Sequence, residues 1–128
     1  YLNHWRKNYG HVKVPAEELT EAMRESALSV VGRANVLLGY FGEARDITSG
    51  WRPLSVNRRI PGAATRSNHT RCLAVELADP DGDLDDWCLD HLEELEEIGL
   101  WLEHPAATKG WCHVQIVGPK SGRRVFFP

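Results

Sequence analysis

Apolar residues recur every three or four positions at Leu19, Met23, Ala27, Val30, Val31, Ala34, Leu37, Leu38 and Phe41, the spacing that lines one face of an α-helix. Pro15 suits a first helical position, and Glu17 and Glu18 favour the positive end of the helix dipole. The pattern predicts one long amphipathic helix from Pro15, or two meeting near Gly32, stopped at Gly42, with its stripe serving as core packing. Residues 1–14 show no clean period and read as an irregular segment draped over that core.

Beyond Gly42 the period shortens. Asp46 to Pro53 reads as a short strand, and Leu54 to Arg66 as a loop too polar and too broken for a regular element. A loop of that length in a small domain is usually functional or disordered, and with Ser67 and His69 immediately after it the reading favoured is a functional loop that walls a cleft. Leu73 to Ala78 reads as a buried strand, followed by the acidic turn Asp79 to Asp83. That turn lacks the alternating ligands and terminal Glu of a calcium loop, so Asp81 or Asp83 is expected to cap one inserted helix running from Leu84 to Ile98 and stopped by Gly99. His91 lies near its apolar face and reads as a packed or surface histidine. Strands are expected at Leu100–Glu103, Trp111–Val117 and Arg124–Phe127, the last hairpin-paired with its predecessor. Helices first, then strands around one helix, indicate an α+β domain with a small, mostly antiparallel sheet.

At 128 residues and 42% hydrophobic, residues 1–128 suit a single domain with a real core. Fifteen basic against 18 acidic residues, with neither sign in a block, leave no electrostatic footprint for nucleic acid or an anionic membrane. No apolar run approaches the ~20 residues of a membrane helix, so no membrane insertion is expected. Cys72, Cys88 and Cys112 form no CxxC pair and leave one over, which argues against a disulfide framework and for synthesis in a reducing compartment.

The chemistry gathers around His69 and Glu76, seven positions apart at the mouth of the apolar strand, with His113 on a later strand as a third candidate. Two imidazoles and one carboxylate, with a position left for water, suit a catalytic rather than a structural zinc site. On spacing alone the three residues are equally a buried hydrogen-bonded group and two surface residues.

Three stretches resemble, in order, the motifs of the zinc D-Ala-D-Ala carboxypeptidase and L-alanyl-D-glutamate endolysin family, which shares its fold with hedgehog signalling domains. Ser49-Gly50-Trp51-Arg52-Pro53 with Asn57 resembles SGYRSxxxN, Ser67 to Glu76 resembles SxHxxGxAxD, and Trp111-Cys112-His113 resembles WxH. The resemblance covers roughly the C-terminal two thirds of the chain. It implies a hedgehog-like fold, one Zn²⁺ on His69, Glu76 and His113, and Arg52 gripping substrate or a developing oxyanion. It also implies a Glu as general base, with Ser67, Asn57, Trp111 and Gln115 near the substrate. In many members that Glu stands three residues before the last His, where this chain has Gly110, so Glu103 on the preceding strand is the substitute. Two further positions depart from the pattern: Cys72 replaces the motif Gly, and Glu76 the motif Asp. Cys72 is read as a small packed residue, with a soft competing ligand as the alternative.

The expected function is a zinc peptidase acting on the stem peptide of bacterial peptidoglycan, phage-encoded or bacterial, made in the cytoplasm and acting at the cell wall. The alternative is a non-catalytic binding or virion-structural module that keeps the metal as a staple.

Overall fold

The computed structural model describes residues 1–128. The helical stripe becomes α2, Glu21–Phe41, which buries Ala27, Val30, Ala34 and Leu37. It starts later than Pro15 because Thr20 is extended and its hydroxyl accepts from the Met23 N–H at 3.2 Å, satisfying a donor that an N-terminal turn leaves open. Ala16–Glu18 forms a separate 3-10 turn. The helix runs unbroken through Gly32 and stops at Gly42, whose left-handed φ of 87° few other residues adopt readily. The N-terminal segment is not wholly irregular: Arg6–Tyr9 is a helical turn, α1.

Five strands form one sheet: β1 (Ile47–Ser49), β2 (Ala74–Asp79), β3 (Trp101–Glu103), β4 (Gly110–Gln115) and β5 (Val125–Phe126), in the order β1-β2-β4-β3-β5. Every neighbouring pair is antiparallel except β3 with β5. The expected hairpin between β4 and β5 is therefore corrected. Strand β4 is flanked by β2 and β3 and has no free edge, so the last segment adds in parallel to the outer edge of β3. There the Leu102 and His104 N–H groups donate to Arg124 and Phe126 carbonyls at 2.8 and 2.7 Å.

The expected loop after β1 contains the helical turn α3, Leu54–Asn57. The expected single inserted helix is two, α4 (Asp83–Asp90) and α5 (Leu92–Ile98). His91 breaks them: its ring Nδ1 lies 2.7 Å from the Trp87 carbonyl, so side chain competes with backbone, and its own N–H turns to Cys88 instead. The imidazole stacks on Trp87 at 4.0 Å between centroids, the packed histidine expected. The cap of α4 is neither Asp81 nor Asp83 but Asp79, whose two carboxylate oxygens accept from the Leu84 and Asp85 N–H groups at 2.9 Å each.

Strand alternation decides where chemistry goes. Val75, Leu77, Leu102, Cys112 and Val114 face a core shared with Val30, Leu37, Leu84 and Leu95 from the helices. Ala74, Glu76, Trp111, His113 and Gln115 therefore occupy the other face. No helix is long and apolar enough to cross a membrane.

Candidate metal centre

The register of β2 and β4 sets Glu76 directly opposite His113, and pairing of Leu102 with Val114 brings Glu103 to the far side of the same histidine. Glu76, His113 and Glu103 thus form a row across three strands. His69 enters from above, on a 3-10 turn spanning Asn68–Arg71. Ser67 caps that turn, its hydroxyl accepting from the His69 N–H at 3.3 Å, and Thr70 braces it by donating to the Ser67 carbonyl at 2.6 Å. The turn closes on Cys72, the one non-glycine residue with a left-handed backbone, at φ 61°. A glycine would adopt that conformation without strain; the Cys72 side chain is instead fully buried in a small apolar cluster with Trp51 and Val56. It does not join the ligand cluster, so the soft-ligand alternative is removed.

One nitrogen from each imidazole and one oxygen from Glu76 lie within 4.8 Å of one another. His69 Nε2 is 3.2 Å and His113 Nδ1 3.3 Å from the same oxygen, Glu76 Oε2, and the two rings meet edge to face at 5.3 Å. Donor atoms on a tetrahedral zinc with bonds of ~2.0 Å stand about 3.3 Å apart, so little movement is needed to close on one ion.

The outer nitrogens settle which lone pairs face inward. His69 Nδ1 is 2.9 Å from the Gly50 carbonyl, which can only accept, so that nitrogen carries the proton. His113 Nε2 is 3.0 Å from Gln115 Oε1. The Gln115 amide is oriented by two further bonds: its NH₂ donates to the Val117 carbonyl at 2.8 Å, and its oxygen accepts from Asn68 Nδ2 at 3.2 Å. In their neutral forms both rings therefore turn a lone pair toward a carboxylate oxygen. Three lone pairs aimed at one point repel unless a proton or a metal cation sits among them, and the residues present fit the latter.

Where protons rather than a metal cation fill that point, the rings donate to Glu76, and this sets the titration of the group. Burial works against the Glu76 carboxylate, but hydrogen bonds from His113 and His69, with the charge those rings can carry, outweigh it and hold its carboxyl well below the usual range. Burial pulls His113 down, while its bonds to Glu76 and Gln115 and the nearby Glu103 charge lift it above the ordinary histidine value. Burial raises Glu103, and attraction to His113 offsets this only in part.

Glu103 Oε2 lies 3.7 Å from His113 Nδ1, beside the cluster without belonging to it. Gly110, where the family pattern has its acid, has φ 98° and shares the strand face of Cys112 and Val114, pointing away from the cluster. Arg52 gives one N–H to Asn57 Oδ1 at 3.2 Å and lines a cavity with Glu76. Trp111 is half-buried on the site face, its indole N–H without a protein partner.

Three expected substrate contacts have other work. Gln115 is 3% exposed and fixes His113; Asn57 is 5% exposed and holds both Arg52 and the Ala64 carbonyl; Ser67 is committed to its turn. Sequence reasoning missed the Gly50 carbonyl and Asn68, both supports for the imidazoles. A backbone acceptor leaves no trace in a pattern of side chains.

A family model described as Peptidase M15 matches residues 5–114. No curated protein and no solved structure matches the chain.

Proposed function

The chain belongs to the peptidase M15 family, and from that premise we propose that it hydrolyses a peptide bond in peptidoglycan stem peptides, with zinc on His69, Glu76 and His113. The observation that carries this reading is the convergence of two imidazole lone pairs on Glu76 Oε2, with each outer nitrogen tied down. Zinc bound there would supply a Lewis acid and acidify water to a pKa of about 7.

The chain's own residues divide the remaining work. Gly50 and Gln115 keep the imidazoles aimed, and Asn68 and Val117 keep Gln115 aimed. Glu103, 3.7 Å from His113 Nδ1 and beside the cluster, is placed to take a proton from water and return it to the leaving amine. Arg52, held by Asn57, offers its remaining N–H groups to substrate or to a developing oxyanion. The bond cut is of the D-Ala-D-Ala carboxypeptidase or L-Ala-D-Glu endopeptidase type. The protein is phage-encoded or bacterial, made in the cytoplasm and active at the wall.

A non-catalytic module with a metal staple is the second reading, favoured by Gly110 in place of the family's acid. Purified sacculi incubated with the zinc-loaded protein separate the two. Newly released amines, lost in Glu103→Gln with zinc retained, are the expected result. Zinc binding with no amine release would leave the staple.

A further inference from the structure

The near-balance of charge over the whole chain conceals a segregation along it. Residues 47–75 hold five arginines and no acid, whereas residues 79–97 hold ten acids and no lysine or arginine. The sheet keeps the two apart. The acidic stretch runs from the end of β2 through α4 and α5, whose Leu84, Cys88 and Leu95 pack on the face away from Glu76 and His113. The arginine stretch wraps the site instead: it supplies His69, and its Thr48, Arg52 and Ile60 line a cavity with Glu76.

Four of the five arginines, Arg58, Arg59, Arg66 and Arg71, are exposed, and none of the five has a carboxylate partner. Two acids that do touch the stretch are otherwise engaged: Glu18 accepts from Ser55, and Glu76 faces the two imidazoles. Asn57 gathers the arginines, because its side-chain NH₂ donates to the Ala64 carbonyl at 3.0 Å and folds the loop between Arg58 and Arg66 back on itself. Arg71 stands on the turn that carries His69, its guanidinium donating to Asn68 Oδ1 at 3.0 Å. A packed layer is about 10 Å thick, more than the ~8 Å Debye length at physiological salt. The acids behind the sheet therefore leave the charge of this rim largely uncancelled.

Several exposed guanidinium forks spread over one loop suit a repeating phosphate better than a single anion. The one aromatic ring of the stretch besides His69 is Trp51, 5% exposed, which offers no face on which a base could stack. That favours a polyphosphate without bases. We infer that Arg58, Arg59, Arg66 and Arg71 form a docking rim for a polyol-phosphate polymer of the cell envelope, with the acidic pole repelled so that the metal face turns toward the polymer. The choice of an envelope polymer rests on the peptidase reading; the binding of a polyphosphate does not.

The test titrates the zinc-loaded full chain with poly(glycerol phosphate) at several salt concentrations, beside a single-stranded oligonucleotide and a polyglutamate of matched charge. The polymer binds, and log affinity falls against log salt with a slope of about −3, from four contacts at the ~0.7 each of flexible single strands. Arg58→Gln, Arg59→Gln and Arg66→Gln combined weaken binding about tenfold and flatten the slope to about −1, with zinc content and circular dichroism unchanged. The oligonucleotide and the polyglutamate bind no tighter than the polymer. No binding, an affinity indifferent to salt, wild-type affinity in the triple variant, or tighter binding of either comparison polymer would overturn the rim. Polymer binding without amine release from sacculi defeats the peptidase reading alone, and amine release without polymer binding defeats the rim alone.

Discussion

Glu76 and Asp85 are carboxylates on opposite faces of strand β4, one meeting His113 and the other the thiol of Cys112, and their surroundings treat them in opposite ways. Glu76 faces two imidazole nitrogens and is kept charged. Asp85 is 3% exposed; burial raises its pKa to about 6, the Cys112 thiol and Thr108 hydroxyl pull it back, and the Asp79 and Asp86 charges push it up. One of its oxygens has no partner at all. Depth of burial therefore does not mark a functional acid in this fold. What marks it is whether imidazole nitrogens that can carry a proton or share a metal converge on it, or only weak donors and further acids.

Four changes would break or sharpen that contrast. The largest effect is expected for His69→Ala or Glu76→Ala, which remove a ligand outright: zinc is lost on dialysis and amine release falls by on the order of 10³-fold or more. Glu103→Gln comes next, with zinc retained by metal analysis and turnover reduced about 10²- to 10⁴-fold. Gln115→Leu leaves all three ligands in place but frees the His113 tautomer, so competition with a chelator should show zinc affinity weakened about 10- to 100-fold. Asp85→Asn is expected to leave zinc affinity alone and act on stability.

The sign of that last effect follows from linkage. Below the unfolded value near 3.8 both states are protonated; between there and about 6 the folded chain holds a proton that the unfolded chain has released. Stability contributed by this group is thus present at low pH and falls as pH rises through that window. Denaturant unfolding of Asp85→Asn should show a flatter profile between about pH 4 and 6 and a gain on the order of 1 kcal/mol at pH 7. A variant with the wild-type slope would show that Asp85 does not titrate there.

Much of the fold was legible because its signals are local. The stripe from Leu19 to Phe41, Gly42 as a stop and the strands at β2 and β4 all follow from period and punctuation. The misread parts depend on partners distant in sequence. Asp79 caps α4 from the end of a strand, β5 goes to β3 because β4 has no edge left, and His91 breaks a helix through its own ring. At the site, residue types and motif order brought His69, Glu76 and His113 forward, and the fold sets their ligand atoms within 4.8 Å of one another. The sequence did not show that Gln115 and Asn57 turn inward. An amide on a strand looks the same whether it meets substrate or braces a histidine, and only the register with Asn68 and Val117 distinguishes them.

X-ray absorption of the zinc-loaded protein tests the central claim most directly, because it reads the ligand atoms whatever the activity. Two imidazoles with oxygen ligands at ~2.0–2.2 Å and no sulfur are expected, with one imidazole lost in His113→Ala. A sulfur shell at ~2.3 Å, or an unchanged imidazole count in that variant, would contradict the account.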